Sequence, residues 1–134
     1  MTRALKMIHD TDPKALLMAA TTPYLDGITL PPYRFIVGVY KRPEKLASGL
    51  YLPETAGPRK EDSYQGKVGL ILKMGPRTFA EDATHQWDGT APKVGDWIVY
   101  NVGDAWAFDL GDTRCRWLHE DDWRMTTTEP DWFY

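Results

Sequence analysis

The sequence lacks most of the residues from which small catalytic and metal sites are built. Only Cys115 is a cysteine among 134 residues, which excludes an intrachain disulfide and a zinc site made of several cysteines. The three histidines, His9, His85 and His119, show no metal-ligand spacing such as His-x-x-x-His. We therefore expect surface histidines and a Cys115 that is buried in a strand as a small hydrophobic residue.

Catalytic motifs are missing as well. The chain has no Gly-rich phosphate loop, no dinucleotide-binding fingerprint and no Gly-x-Ser-x-Gly nucleophile motif. The acidic triplet Glu120, Asp121 and Asp122 lacks the alternating oxygen ligands of a calcium loop, so we interpret it as a solvated turn. These absences indicate a protein that is not an enzyme and uses no cofactor.

Long apolar runs are also absent, and none approaches the about 20 residues that a membrane-spanning helix needs. The apolar stretch 15–20 is too short for the core of a secretion signal. Asp10 and Asp12 stand where such a signal carries basic residues. The sequence predicts a soluble protein that does not enter the membrane and is not secreted by the usual route.

The chain carries no excess of positive charge. Lys and Arg total 16 against 19 for Asp and Glu, a net charge of −3, which argues against nucleic-acid binding because such proteins carry a basic face. Residues 1–60 hold nine basic and five acidic side chains, whereas residues 104–134 hold three and eight. A solvated acidic surface explains this asymmetry, and head-to-tail complementarity between subunits is the alternative.

The first 32 residues differ from the rest of the chain. Asp12 before Pro13 is a helix start, with a capping side chain followed by proline at the first helical position. We expect one or two helical turns over residues 14–20, ended near Pro23 because the residue before a proline avoids helical backbone. Residues 1–32 are thus predicted to be an N-terminal arm with a short helix.

Residues 33–125 carry short apolar stretches separated by turn signals, with no long helix between them. The alternation of Tyr33, Phe35, Val37 and Val39 predicts a strand with one apolar face. Further strands are predicted around residues 68–72, 97–100, 106–110 and 115–117. The polar segment 77–93, with its Asp-Gly turn, is predicted to be a loop or a protruding hairpin. The pattern is typical of an all-β fold, a small barrel or sandwich.

One loop segment has the pattern of a docking site. It consists of Ser48, Gly49, Leu50, Tyr51, Leu52 and Pro53. A glycine hinge before three apolar residues suits a segment that buries these side chains in a partner's groove. Each buried side chain contributes about 1.5–3 kcal/mol, less the cost of ordering the segment. An ordinary edge strand after a loop is the alternative.

Several segments in chain order over residues 31–125 together resemble GroES-type co-chaperonins, the chaperonin 10 family. Residues 93–101, Lys-Val-Gly-Asp-Trp-Ile-Val-Tyr-Asn, look like the family's Lys-Val-Gly-Asp-x-Val-x-Phe segment. Residues 48–54, Ser-Gly-Leu-Tyr-Leu-Pro-Glu, are similar to its mobile loop, which carries a Leu-Pro-Glu ending. The other matching segments are residues 35–42, 66–68, 75–76 and 118–122.

The resemblance implies a small GroES-like β-barrel with a mobile loop and a roof hairpin, the latter over residues 77–93. In the family, seven subunits form a ring that caps a chaperonin ring and encloses folding substrate. Carried over, Leu50, Tyr51 and Leu52 dock on the chaperonin and Gly49 is the hinge. ATP is bound by the chaperonin, so the resemblance implies no cofactor of its own. It also implies a cytoplasmic location in the host cell of a bacteriophage that encodes the protein.

A second hypothesis rests on the terminal extensions, which the family lacks. A GroES-fold capsid decoration protein of a bacteriophage virion would use the arm 1–32 and the tail 126–134 to clamp neighbouring subunits. Its partner would be the major capsid protein. All six Trp lie after residue 86, and three of them have no counterpart in the matched motifs. These three are Trp87, Trp123 and Trp132.

Overall fold

The computed structural model describes residues 12–41 and 67–133. Within these ranges the chain forms one helix, six strands and three single turns of 3-10 helix. The helix and strands are α1 (Pro13–Leu25), β1 (Arg34–Val39), β2 (Val68–Met74), β3 (Trp97–Tyr100), β4 (Trp106–Leu110), β5 (Thr113–His119) and β6 (Trp123–Thr127). The 3-10 turns are Val102–Asp104, Glu120–Asp122 and Pro130–Trp132. No helix in this part of the chain is both long and apolar enough to cross a membrane.

The six strands form one antiparallel sheet in the order β4-β5-β1-β2-β3-β6. The prediction of a small β-rich fold is confirmed in this coarse form, with one helix beside the sheet. The sheet is open, however, with β4 and β6 as its two edges, so the described strands do not close into the predicted barrel. The physical reason is that non-strand segments cover both faces of the sheet, which buries its apolar side chains without closure.

Strands β1 and β3 are apolar on both faces, whereas the alternation pattern predicted a single apolar face for β1. In β1, Phe35 and Val37 lie on one side of the sheet and Ile36 on the other, and all three are buried. The prediction that β3 is buried on both sides is confirmed, because all four of its residues are buried. The sheet therefore has two separate apolar clusters, one on each face.

Helix α1 covers one face. The buried residues of this helix-side cluster are Leu30, Ile36, Tyr40, Val68, Leu70, Leu72, Trp97, Val99 and Cys115. Leu17, Met18 and Leu25 of α1 pack against them. Gly38 allows this close approach, since a Cβ there would lie 3.1 Å from a Leu17 methyl group. Residues 12–32 of the predicted arm are thus packed on the sheet of their own chain.

The helix is longer than predicted and contains Pro23, so the prediction that it ends before this proline is wrong. Packing of Leu25 on the sheet outweighs the local preference of the residue before proline. The Lys73 ammonium group donates to the carbonyl oxygens of Leu25 (2.5 Å) and Ile28 (2.6 Å), which satisfies carbonyls at the end of the helix. Lys73 is more than 40 positions from both residues, so the local sequence does not indicate these hydrogen bonds.

An irregular segment covers the other face. The buried residues of this loop-side cluster are Phe35, Val37, Ile71, Phe79, Ile98, Tyr100 and Leu118. Residues 77–93 contain no strand, so the predicted roof hairpin is wrong and the loop prediction is right. The segment does not protrude, because Phe79 and Trp87 pack on the sheet. We call residues 77–93 the cover segment.

The C-terminal residues also pack on the sheet. Strand β6 extends through Thr127, beyond the predicted start of the tail at residue 126. The Tyr40 hydroxyl donates to the carboxylate of Asp131, and Phe133 packs against the helix-side cluster. Of the tryptophans predicted in strands, Trp97 is buried, whereas Trp106 on the edge strand β4 is 65% exposed and stacks on Phe108.

Candidate functional site

The predicted docking residues lie outside the described residues. These are Ser48, Gly49, Leu50, Tyr51, Leu52 and Pro53, within residues 42–66. The structure does describe the two points at which this 25-residue segment leaves and rejoins the fold. It leaves after β1, which ends at Val39, and rejoins before β2, which begins at Val68.

These two points are adjacent in the sheet. Val39 pairs with Gly69, and the backbone N–H of Tyr40 donates to the carbonyl oxygen of Val68 (2.9 Å). The N–H of Tyr100 in β3 donates to the carbonyl oxygen of Lys67 (3.0 Å). Both ends of the segment 42–66 are therefore attached to β1, β2 and β3, which are consecutive neighbours inside the sheet.

Buried side chains fix the first attachment point. Tyr40 is only 4% exposed and meets Trp97 edge to face, with ring centroids 5.4 Å apart. Its hydroxyl donates to Asp131, which is itself buried. Lys41 and Lys67, the described residues that flank the segment, are exposed and carry positive charge. Since Ser48 follows Lys41 by seven residues, an extended chain allows it at most about 25 Å from Lys41.

A second group of polar side chains lies at the opposite end of β1. His85 of the cover segment faces three carboxylates: its Nε2 lies 2.9 Å from Oδ1 of Asp121, and its Nδ1 lies 3.6 Å from Oε1 of Glu120 and 3.9 Å from Oδ1 of Asp82. The His85 side chain is 26% exposed, and its ring stacks on Trp87 at 5.1 Å. We call these four ionisable residues the His85 cluster.

The surroundings of His85 stabilise its protonated form. The hydrogen bond to Asp121 raises the pKa of His85 above its ordinary value; partial burial opposes this, and the charges of Glu120, Asp121 and Asp82 add to it. Backbone N–H groups of His85 and Thr84 donate to Asp82 (both 2.7 Å) and lower the pKa of that carboxyl. The arrangement is a cation held among anions.

The acidic triplet is not the solvated turn that the sequence suggested. Glu120 is 2% exposed and Asp122 is 9% exposed, and only Asp121 is largely open to solvent. Glu120 accepts the N–H of Phe79 (2.7 Å), and Asp122 accepts the N–H of His119 (2.9 Å). Burial of these two carboxylates is tolerated because backbone donors satisfy them, from the cover segment for Glu120 and from the adjoining end of β5 for Asp122.

The His85 cluster also bears on the question of metal binding. Among residues 12–41 and 67–133, the single group of His, Cys and carboxylate side chains with ligand atoms within 4.8 Å of one another is His85, Glu120 and Asp121. The two ring nitrogens of His85 face carboxylates of different residues, and one Glu120 oxygen accepts the Phe79 N–H. The ring is placed to carry a proton, and we assign no metal to it.

Cys115 and Tyr100 are two further ionisable groups in the core of the described residues. Cys115 is fully buried, as predicted, and burial raises the pKa of its thiol to about 11. Burial also raises the pKa of the Tyr100 phenol above its usual range. Both groups therefore stay protonated at neutral pH. Cys115 packs in the helix-side cluster and Tyr100 in the loop-side cluster.

Sequence reasoning missed the His85 cluster. His85 and Glu120 are 35 positions apart, so no local spacing connects them. The only local signal is that Asp82 and His85 stand three residues apart in an otherwise polar segment. No protein-family model matches the chain, so the resemblance to GroES-type co-chaperonins rests on the motifs themselves.

Proposed function

We propose that the protein is a GroES-type co-chaperonin, a lid that caps a chaperonin ring and encloses folding substrate. It docks through Ser48, Gly49, Leu50, Tyr51, Leu52 and Pro53 and acts without catalysis or a cofactor. The observation that carries the proposal is the attachment of residues 42–66 at both ends to adjacent central strands, through Tyr40 and Lys67. A lid needs such a connection, because docking must hold the whole subunit in place.

The placement of the matched motifs supports the same proposal. Residues 35–42 include most of β1, residues 66–68 and 75–76 flank β2, and residues 93–101 contain β3. Residues 118–122 end β5 and form the following 3-10 turn. Within the described residues, the matched segments therefore lie in or beside β1, β2 and β3 and at the turn after β5, whereas residues 48–54 lie outside the described ranges.

The energetics of docking favour a ring of subunits. Leu50, Tyr51 and Leu52 contribute about 1.5–3 kcal/mol each when buried, and ordering the segment offsets part of this gain. A single subunit would bind weakly. A homo-oligomer, sevenfold as in the family, presents several copies at once. After the first copy binds, the others bind at a high effective concentration, which raises the overall affinity.

The capsid decoration hypothesis finds less support in the described residues. It needs terminal extensions that are free to clamp neighbours. Leu17 of α1 and Phe133 near the C-terminus both pack against the helix-side cluster of their own chain. We keep association with the major capsid protein as an outcome of the test below.

The test is capture of the purified protein on an immobilised chaperonin ring, with and without ATP. We expect nucleotide-dependent capture of the natural sequence. The double substitution Leu50→Ser with Leu52→Ser should weaken capture at least about tenfold, because two buried leucines are lost. Leu16→Ser is the matched control, since Leu16 is 55% exposed on α1 and far from the docking segment in sequence; it should be captured normally.

Two results would overturn the proposal. If the double variant is captured as well as the natural sequence, the docking assignment is wrong. If the natural sequence is not captured with ATP and instead co-purifies with phage capsids, the protein is a virion component.

A further inference from the structure

We propose that the cover segment, residues 77–93, is a pH-dependent lid over one face of the sheet, pinned by protonated His85 and released as the pH rises. This inference does not depend on the proposed function. It rests on what lies beneath the segment, on what holds it there and on the strain in its backbone.

Aromatic rings form the underside of the cover segment. Phe79, Trp87 and Trp123 meet one another edge to face, with centroid distances of 5.3–5.7 Å. Phe79 also lies 5.3 Å from Phe35 of the central strand β1. The segment thus shields the loop-side cluster, and its release would expose a large apolar surface.

Polar contacts with the turn Glu120–Asp122 hold the segment down. The N–H of Phe79 donates to Oε2 of Glu120 (2.7 Å), and the His85 ring lies in hydrogen-bonding distance of Asp121 (2.9 Å). Near its start, the Thr78 hydroxyl donates to the carbonyl oxygen of Arg34 (3.0 Å). Of these contacts, the one made by His85 involves a group that titrates close to neutral pH.

The charges around His85 decide its preferred state. The carboxylates of Asp82, Glu120 and Asp121 lie within 4 Å of its ring nitrogens. Two neighbours contact Asp121 at other atoms: Nδ1 of His119 accepts its backbone N–H (3.0 Å), and Arg124 donates to its backbone carbonyl oxygen (2.7 Å). The other charged or titratable groups beside the cluster are His119, Arg124 and Glu81, whose carboxylate accepts the backbone N–H groups of Trp87 and Asp88. Loss of the imidazolium proton leaves mutually repelling carboxylates without the cation between them.

The backbone of the cover segment is strained, so a modest loss of attraction is enough to free it. Arg77, Phe79 and Asp88 have φ values of 60°, 58° and 54°, in the left-handed region that side chains other than glycine rarely adopt. Such strain persists only where surrounding contacts enforce it. Opening the segment would relieve the strain at Arg77 and Phe79, whereas Asp88 lies with Gly89 in a local turn where Asp tolerates this conformation.

The direction of the pH effect follows from linkage. Because the pKa of His85 is raised on folding, its contribution is fully present below its ordinary value of 6.5 and is lost as the pH rises through the raised value. Because the pKa of Asp82 is lowered, its contribution is present above its ordinary value of 3.8 and is lost at lower pH. The cover segment is therefore held most firmly between about pH 4 and pH 6.5.

Amide hydrogen exchange of Phe79 in the full-length protein tests the inference. Protection, corrected for the intrinsic pH dependence of exchange, should fall about two- to fivefold between pH 6 and pH 9, as expected for a partly exposed charged pair. In His85→Gln the protection should be low at both pH values. His119→Gln is the control: it removes the other titratable ring beside Asp121, and the glutamine oxygen can still accept the Asp121 N–H, so the pH dependence should remain.

Two results of the exchange measurements contradict the inference. Equal corrected protection of Phe79 at pH 6 and pH 9 in the natural sequence would overturn the inference, as would an unchanged pH dependence in His85→Gln. If His85→Gln fails to fold, the NMR signal of the Trp123 indole in the natural sequence decides, because the Trp87 ring stacks on His85 and would sense its titration even with the segment closed. The Trp123 signal must titrate together with the His85 ring, and titration at a different pH contradicts the inference.

Discussion

The two faces of the sheet are covered in different ways. A regular helix covers the helix-side cluster, where aliphatic residues such as Leu17 and Leu25 meet buried strand residues. An irregular segment covers the loop-side cluster, where aromatic rings pack and charged groups hold the segment in place. Apolar contacts do not titrate, whereas the His85 cluster does, so the two covers should respond differently to pH.

The comparison also shows where stability resides. The helix-side cover is supported by hydrophobic burial and by helical hydrogen bonds, which together favour one cooperative unit. The loop-side cover combines strained backbone with a few polar contacts, which favours local opening below the free energy of global unfolding. The predictions below are ordered from the largest expected effect to the smallest.

The largest effect is expected for Leu70→Ala, beneath the helix. Leu70 is fully buried in the central strand β2. Its truncation should lower the free energy of unfolding by about 3–5 kcal/mol, equally at pH 6 and pH 9. Urea unfolding at both pH values measures this, and Val94→Ala, at a residue 46% exposed, should stay within about 0.5 kcal/mol of the natural sequence. A loss for Leu70→Ala that depends on pH would break the distinction between the faces.

A smaller, pH-linked effect is expected for Glu120→Gln, beneath the cover segment. The amide oxygen still accepts the Phe79 N–H, but the buried charge beside His85 is lost. The unfolding free energy should fall by about 1–3 kcal/mol, and the pKa of His85 should drop because one of the charges that raise it is gone. NMR titration of the ring measures this drop. The exposed Glu129→Gln removes equal charge and should change neither quantity; a His85 pKa that is unaltered in Glu120→Gln would contradict the assigned contacts.

The smallest effect is expected for Thr21→Val in α1. Thr21 is fully buried, and its hydroxyl donates to the Leu17 carbonyl oxygen (2.7 Å). Valine keeps the shape of the side chain and loses this hydrogen bond. The free energy of unfolding, measured by urea unfolding, should therefore fall by no more than about 1.5 kcal/mol. Thr22→Val is the matched control, because the exposed Thr22 hydroxyl makes the equivalent bond to Met18 (2.5 Å). A larger loss at Thr22 than at Thr21 would show that burial does not govern the helix-side cover.

Sequence patterns predicted the strands because alternation is a local property. Phe35 and Val37 recur with period two, and the strand β1 contains both. The end of α1 was not predictable, because Lys73, 48 positions from Leu25, adds a second donor to a carbonyl that the local Ile28 N–H also meets. Closure of the sheet was not predictable either, since it depends on what covers the two faces rather than on the strands themselves.

The two candidate sites also differ in how far the sequence alone reveals them. The docking pattern of Ser48 to Pro53 is contiguous in sequence, so it is visible without a structure. The His85 cluster joins two segments that are far apart in the chain and similar in polarity to ordinary loops. Burial of Glu120 beneath Phe79 has no sequence signature, because acidic triplets are usually exposed.

Native mass spectrometry of the protein mixed with a chaperonin ring tests the central claim most directly. The segment 42–66 is attached at both ends to the central strands, and we propose that it docks the whole subunit on that ring. The account predicts, with ATP present, a complex whose mass equals the chaperonin plus one ring of seven copies of this chain. A mixture in which the chaperonin keeps its own mass, with ATP and at micromolar concentrations of both proteins, would contradict it.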